Sequence, residues 1–230
     1  PRPHGATAGR PEAGLGSVAL MADYFEVHPR NPQPRLIAHA AEIVRRGGLA
    51  VFPTDSAYAL GGHLGDAALL ERIRRIRAVD ERHHFTLMCR DLSEIATYAR
   101  VDNAQYRLLK TATPGSYTFI LEGTKELPRR VLHPKRKTIG LRVPDHPVVL
   151  ALLQALDEPI LSSTLILPGD EGPLSDAEEI CNRLENQVDL IVDAGACGAG
   201  MTTVINLAGG AIEVLREGKG SLPPFELGGS

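Results

Sequence analysis

The chain contains no tryptophan, and phenylalanine and tyrosine together make up only 4% of its 230 residues. Its core must therefore be built mainly from aliphatic side chains. Apolar residues account for 43% and charged residues for 23%, which is ordinary for a globular protein. A chain of this length buries a sizeable core as one domain, or at most two.

Cysteine is also scarce. Cys89, Cys181 and Cys197 are odd in number and far apart, and no CxxC motif occurs. This pattern predicts reduced thiols in a cytosolic protein, with neither a disulfide framework nor a cysteine metal site. The eight histidines show no HxxxH or HxH spacing, so we expect no dedicated zinc site.

Long hydrophobic segments are missing as well. No apolar run approaches the ~20 residues that a membrane span requires. Residues 1–20 are rich in Ala, Gly, Pro and Arg and lack the apolar region of a secretory signal. Met21 is a plausible start, so we expect a disordered extension over 1–21, one domain over 22–223 and a tail over 224–230.

The formal net charge of −3 argues against a uniformly basic, nucleic-acid-binding surface, so any affinity for phosphate must come from local patches. No GxxxxGK[ST] motif occurs, and no GxGxxG follows a strand, so ATP would need a different kind of site. The chain has two cationic clusters. The first contains Arg72, Arg74, Arg75, Arg77, Arg82, His83 and His84, and the second Arg129, Arg130, Lys135, Arg136 and Lys137. Such clusters bind phosphate or form solvated faces, and Glu71 and Asp80 are near enough to pair with Arg72 and Arg75.

The most informative segment is 52–62, which follows a short apolar run and is expected to begin where a buried strand ends at Pro53. Thr54, Asp55 and Ser56 then lie where the chain turns. Polar groups at the carboxyl end of a strand in an open α/β sheet are well placed to bind a ligand. The alternative is a turn in which these side chains only satisfy backbone groups.

Hydrophobic periodicity predicts that helices and strands interleave, with more strands near the end. Helices are expected at 34–46, 66–77, after Asp91, after Asp102, at 146–156 and from the Ser175 capping box to about 185. Strands are expected at 49–52, 85–89, 117–121, 138–143, 160–167, 188–193, 202–207 and 211–215. The predicted fold is a single α/β domain with a twisted mixed sheet flanked by helices.

Five segments, in this order, resemble motifs of the YrdC family: 53–61, 113–121, 138–144, 202–207 and 215–218. Segments 85–93 and 135–140 are most similar to its YciO branch. The resemblance covers about residues 22–223. It implies an ATP-dependent nucleotidyltransferase that makes L-threonylcarbamoyl-AMP from threonine, bicarbonate and ATP, with Mg²⁺ carried by ATP, for tRNA modification.

The resemblance also implies roles for individual residues. Thr54 and Tyr58 are expected to bind threonine. The expected phosphate- and nucleotide-binding residues are Arg77, Thr118, Arg142, Ser163, Thr164, Thr203 and Arg216. No side chain is identified as a catalytic base, because the carbamate itself would be the nucleophile. Arg142 and Arg216 are charged residues in or beside apolar strands, which fits either a ligand contact or a solvated side of the sheet.

The chain departs from the family pattern at several positions. Arg77 stands where the family has Lys, Val79 where it has Arg, Ile166 where it has Asn, and Asn206 where it often has Asp. These changes favour weakened or altered synthase activity. An alternative is a nucleotide- or double-stranded-RNA-binding module without that activity, and a third is a hydrolase or maturation factor that uses another acyl-adenylate. The expected RNA-binding residues are Arg74, Arg82, Arg129, Arg130, Lys135, Arg136 and Lys137.

Overall fold

The computed structural model of the protein describes residues 21–222. The predicted C-terminal tail, and the N-terminal extension apart from Met21, lie outside the described residues. No helix within this range is long and apolar enough to cross a membrane.

The described residues form ten strands, six α-helices and one 3₁₀ turn. The strands are β1 (Asp23–Glu26), β2 (Ala50–Phe52), β3 (Ala59–His63), β4 (Thr86–Met88), β5 (Tyr117–Glu122), β6 (Thr138–Arg142), β7 (Ile160–Thr164), β8 (Leu190–Asp193), β9 (Thr203–Asn206) and β10 (Glu213–Arg216). The helices are α1 (Pro34–Arg45), α2 (Ala67–Arg77), α3 (Leu92–Tyr98), α4 (Asn103–Ala112), α5 (Pro147–Leu156) and α6 (Ala177–Leu184), and the 3₁₀ turn is Arg129–Val131.

All ten strands belong to one sheet in the order β1-β8-β2-β3-β7-β4-β6-β5-β9-β10. Four neighbouring pairs are parallel: β1–β8, β2–β8, β4–β6 and β5–β9. The other neighbours are antiparallel. The predicted α/β domain with a mixed sheet flanked by helices is therefore confirmed.

Four of the six described helices begin at an aspartate whose side chain satisfies a free backbone N–H group. Asp66, Asp91 and Asp102 each accept a hydrogen bond from a backbone N–H in the first turn of α2, α3 and α4, as predicted. The predicted capping box at Ser175 is wrong by one residue. Asp176 is the N-cap of α6 and accepts from Glu179 N at 2.8 Å, since a carboxylate is a good acceptor for these N–H groups.

Strands β1 and β3 were not predicted. β3 continues the polar segment after β2, where no strand was predicted, and its glycines weaken the strand signal. The structure explains one of them, because a Cβ atom on Gly61 would lie 2.8 Å from the carbonyl oxygen of Leu161. Glycine therefore permits the close approach of β3 to β7.

The two faces of the sheet are covered unequally. On one face α2, α3, α4 and α6 bury a core that includes side chains from β2, β4, β5, β6, β7, β8 and β9. On the other face α1 and α5 pack against β2, β3, β4, β7 and β8, and no residue of β5, β6 or β9 belongs to this second core. The second face of these three strands is therefore left for a groove.

Candidate functional site

A groove of about 530 Å³ lies on the face of the sheet that α1 and α5 leave uncovered. Alternation along the strands supplies its floor. Thr118 and Ile120 of β5 and Gly140 and Arg142 of β6 line it, while Phe119 and Leu141 point into the first core. A groove floor of this kind presents small and polar groups from several adjacent strands to one ligand.

Four arginines line this groove, and none of its lining residues is acidic. The four arginines are Arg77 from α2, Arg82 from the following loop, Arg142 from β6 and Arg216 from β10. Burial lowers the pKa of the guanidinium groups of Arg77, Arg142 and Arg216. Concentrated positive charge in a partly dehydrated groove favours an anionic ligand, and guanidinium groups match phosphate and carboxylate oxygens well.

Arg142 connects the groove to the segment after β2. Its side chain is 4% exposed and forms an ion pair with Asp55, whose side chain is 11% exposed. Arg142 Nη1 also donates to Ser56 Oγ at 3.1 Å, and Ser116 Oγ donates to Asp55 Oδ2 at 2.6 Å. The polar segment after β2 therefore holds the buried cation in place, which is more than a turn satisfying its own backbone.

Arg77 is fixed by contacts with two other segments. Its Nε donates to the backbone oxygen of Ile166 at 3.2 Å, and its Nη1 donates to Ser163 Oγ at 2.6 Å. His83 Nε2 lies 2.9 Å from the same Ser163 oxygen. Ile166 lacks the amide side chain of the family motif, yet its backbone still contributes to this corner of the groove.

Arg216 closes the opposite end. Its Nε donates to Thr202 O at 3.1 Å, and its Nη2 donates to Thr202 Oγ1 at 3.3 Å. Thr202 Oγ1 in turn lies 2.8 Å from Thr118 Oγ1 of β5, so two hydroxyls link the guanidinium to the groove floor.

Of the predicted nucleotide-binding residues, six line the groove: Arg77, Thr118, Arg142, Ser163, Thr164 and Arg216. Thr203 does not. Its hydroxyl lies on the other side of β9, where it donates to Gly220 O at 2.6 Å. Thr202, one residue earlier, lines the groove instead, because successive side chains of an extended chain point to opposite faces.

The two predicted threonine-binding residues lie outside the groove lining and are fully buried. Thr54 Oγ1 donates to Ala57 O at 2.6 Å, and Tyr58 Oη donates to Gly195 O at 2.9 Å. Both hydroxyls are thus engaged by the backbone, and Thr54 Oγ1 also lies 3.1 Å from the Ser56 hydroxyl that Arg142 contacts. Their threonine-binding role stays a prediction.

The predicted RNA-binding residues lie in three different environments. Arg82 lines the groove, and the whole second cluster (Arg129, Arg130, Lys135, Arg136 and Lys137) is exposed. Arg136 also lines a neighbouring hollow of about 430 Å³ that shares Ile120 and Leu215 with the groove. Arg74 differs, since it pairs with Glu71 at 2.6 Å and its guanidinium lies over the Phe85 ring.

Ion pairs on α2 also differ from those expected. Arg72 pairs with Asp189 of the segment before β8 at 2.6 Å, not with Glu71, which is bound by Arg74. The reason is tertiary: Arg72 also donates to Gln187 O at 3.1 Å, so the segment before β8 lies within reach of its guanidinium although it is distant in sequence.

Several lining residues were not identified from the sequence, including His83, Thr86, Met88 and Thr202. Thr86 and Thr202 could have been found from the alternation of side chains along extended segments, because they lie on the same face of the sheet as Arg142 and Thr118. His83 and His84 were placed in the first cationic cluster and considered as zinc ligands, but no nucleotide-binding role was predicted for either. Within residues 21–222 the structure has no group of three or more His, Cys, Asp or Glu side chains suited to a metal ion.

His83 makes the stability of the fold depend on pH. Burial, with smaller contributions from Arg77, His84 and Arg74, lowers the pKa of His83 from 6.5 to about 4. Between these values the unfolded chain binds the proton more readily, so stability is lost as the pH falls below about 6.5. Between pH 7 and pH 5 the free energy of unfolding should fall by about 2 kcal/mol less in a His83→Gln variant than in the parent. This figure follows from about 1.4 kcal/mol per pKa unit.

Urea unfolding followed by far-ultraviolet circular dichroism at the two pH values measures this difference. The lowered pKa values of His84 and His146 act in the same direction in both proteins and cancel in the comparison. Equal losses in parent and variant would contradict the buried, neutral state of His83.

Comparison with known proteins reveals extensive similarity. Residues 42–218 match the Sua5_yciO_yrdC family model, described as "Telomere recombination". The Escherichia coli (strain K12) "Uncharacterized protein YciO" is 58% identical over 205 residues, which are 89% of this chain and all of that protein. The crystal structure of E. coli YciO superposes with a TM-score of 0.87 over the same shares.

More distant relatives carry a named activity. The threonylcarbamoyl-AMP synthase of Bacillus subtilis (strain 168) is 28% identical over 196 residues, which are 84% of this chain and 55% of that enzyme. The Pyrococcus abyssi Sua5 structure complexed with L-threonine has a TM-score of 0.78 at 24% identity, and the match covers 85% of this chain and 57% of that one. At this identity the second likeness concerns the fold alone.

Proposed function

Because the chain belongs to the Sua5/YciO/YrdC family, we propose that it is an ATP-dependent synthase of the threonylcarbamoyl-AMP type, with the four-arginine groove as its nucleotide site. The family includes threonylcarbamoyl-AMP synthases. The observation that carries the proposal is the convergence of Arg77, Arg82, Arg142 and Arg216 with the hydroxyls of Thr118, Ser163 and Thr202 in one groove.

The proposed reaction has two steps. The amine of threonine adds to the carbon of bicarbonate, and loss of water gives a carbamate. A carbamate oxygen then attacks the α-phosphorus of ATP, the bond to the β,γ-phosphates breaks, and pyrophosphate leaves. Negative charge increases on the phosphate oxygens during transfer, so fixed cations that face those oxygens stabilise the transition state.

The protein's contribution in this scheme is positioning and charge. Arg77 and Arg82 would face the phosphates at one end, and Arg216 would bind them from the other. Thr54, which lies beside the Asp55–Arg142 pair, and Tyr58 would form the threonine side of the site. The described residues include no three-residue metal-binding cluster, so Mg²⁺ would arrive on the ATP phosphates.

Pyrophosphate release tests the proposal directly. Purified protein is incubated with ATP, Mg²⁺ and bicarbonate, with and without L-threonine. We expect release that depends on both threonine and bicarbonate, together with a threonylcarbamoyl-AMP mass in the products. Release that is indifferent to threonine would contradict the proposed substrate, and ATP binding without any release would contradict the synthase.

A second candidate function is binding of double-stranded RNA. The observation that favours it is the exposed cluster of Arg129, Arg130, Lys135, Arg136 and Lys137, of which Arg136 reaches the hollow that adjoins the groove. Shape-based RNA recognition depends on phosphate and 2′-hydroxyl contacts. It would give affinity that falls steeply with salt, whereas substitution of Lys135 and Arg136 would leave pyrophosphate release unchanged.

A further inference from the structure

Arg77, Ser163 and His83 form a compact hydrogen-bonded group at one end of the groove. Arg77 Nη1 lies 2.6 Å from Ser163 Oγ and 3.2 Å from His83 Nε2, and the serine oxygen lies 2.9 Å from the same imidazole nitrogen. A guanidinium group only donates hydrogen bonds. His83 Nε2 therefore presents its lone pair toward Arg77, and the Ser163 hydroxyl is free to donate to it.

The charges around His83 keep it in this form. Arg74 and Arg77 approach from α2, His84 follows it in the chain, and Ser163 faces it from β7. The nearby carboxylate of Asp80 has the opposite effect and favours the protonated imidazole. The backbone oxygen of Asp80 accepts a hydrogen bond from His83 N at 3.2 Å. Arg82, Arg142 and Arg216 add further positive charge along the same groove. An additional cation at His83 is therefore unfavourable until an anion offsets these charges.

We propose that His83 is a positioning residue that takes up a proton when a phosphate-bearing anion binds, and that this proton uptake transfers Arg77 from Ser163 to the ligand. The inference deepens the proposed function, on which its link to pyrophosphate chemistry rests. The anion cancels part of the arginine charge, so the imidazole accepts a proton from solvent at Nε2.

Protonation changes the direction of the hydrogen bonds. The new Nε2–H donates to Ser163 Oγ, so the serine proton can turn toward the groove. Arg77 Nη1 loses an acceptor and gains an unfavourable neighbour in the imidazolium. The most favourable partner left for it is the ligand anion, since a charge-assisted contact with phosphate is stronger than one with a neutral hydroxyl. His83 acts through Arg77 and Ser163, and its proton travels no further.

Inorganic pyrophosphate is the probe for this step because its binding does not require synthase activity. The pH titration of the imidazole Cε1–H of His83 is followed by NMR, with and without saturating pyrophosphate, and the resonance is assigned by its loss in His83→Gln. We expect bound pyrophosphate to raise the pKa of His83 by at least one unit. By linkage, a rise of one unit should increase pyrophosphate affinity about twofold more in the parent than in the variant as the pH falls from 7 to 5, and the factor approaches tenfold only below pH 4.

Two comparisons make the result decisive. His133→Gln, which changes a histidine stacked on His84 outside the groove lining, should keep the pH dependence of the parent. Ser163→Ala should bind pyrophosphate while the linkage weakens, because the imidazolium loses its acceptor. An unchanged His83 titration on binding, equal pH dependence in parent and His83→Gln, or failure of pyrophosphate to bind would each overturn the inference.

The same experiment separates the inference from the proposed function. Binding of pyrophosphate with the expected shift, in a protein that releases no pyrophosphate from ATP and threonine, supports the proton-linked site and contradicts the synthase. Threonine-dependent pyrophosphate release without a shift in the pKa of His83 supports the synthase and contradicts the proton-linked site.

Discussion

Replacing Arg142 with methionine is expected to lower the free energy of unfolding by about 3–5 kcal/mol. The guanidinium is almost fully buried, and its partner Asp55 is nearly so. Methionine fills much of the same volume but leaves the Asp55 carboxylate with the Ser116 hydroxyl and without its countercharge. An uncompensated buried charge costs more than the ion pair contributes. Urea unfolding followed by circular dichroism measures the loss, since the chain has no tryptophan for fluorescence.

The Asp55→Asn substitution provides the matched comparison. In the double variant the methionine faces a neutral amide of the same shape, so a substantial part of the lost stability should return. The difference between the double variant and the sum of the single variants gives the coupling energy of the pair. A loss below 1 kcal/mol in Arg142→Met, or strictly additive effects, would show that the pair does not hold the segment after β2 in place.

The fold was largely predictable where local chemistry and hydrophobic periodicity agreed. Asp66, Asp91 and Asp102 combine a short acceptor side chain with the start of an apolar helical pattern, and each caps the expected helix. β3 was missed because its glycines carry no strand preference, and their reason is tertiary: Gly61 permits the close approach of β7, and Gly62 that of Leu69 on α2. The ten-strand order joins β8 to β1 and β2, and no local signal in the sequence determines such a pairing.

The candidate site was also predictable in part. Family motifs identified most of the groove's arginines and hydroxyls, yet they do not say which face of a strand a side chain occupies. Thr203 was chosen over Thr202 for that reason. His83 was placed in a cationic cluster, but its contacts with Arg77 and Ser163 were not predicted, because these residues lie 6 and 80 residues away in the chain.

A second large effect is expected for Arg216→Ala, which should lower threonine-dependent pyrophosphate release by about 100- to 1,000-fold. That range is typical when one donor that stabilises transition-state charge is removed. Arg216 is held by two hydrogen bonds to Thr202 at the end of the groove, and alanine leaves that end without a cation. The initial rate of pyrophosphate release at saturating ATP and threonine is the measurement.

The control must remove an arginine without changing the groove. Arg75 suits this purpose, because it is exposed on α2 and lies outside the groove lining. Arg75→Ala is expected to change the rate by less than twofold, so net charge alone cannot account for the loss in Arg216→Ala. Arg216→Lys provides a further distinction: a lysine keeps the charge but not the planar pair of donors, so partial activity would indicate that charge matters more than geometry. Full activity in Arg216→Ala would place the reacting phosphates elsewhere on the protein and contradict the assignment of this groove.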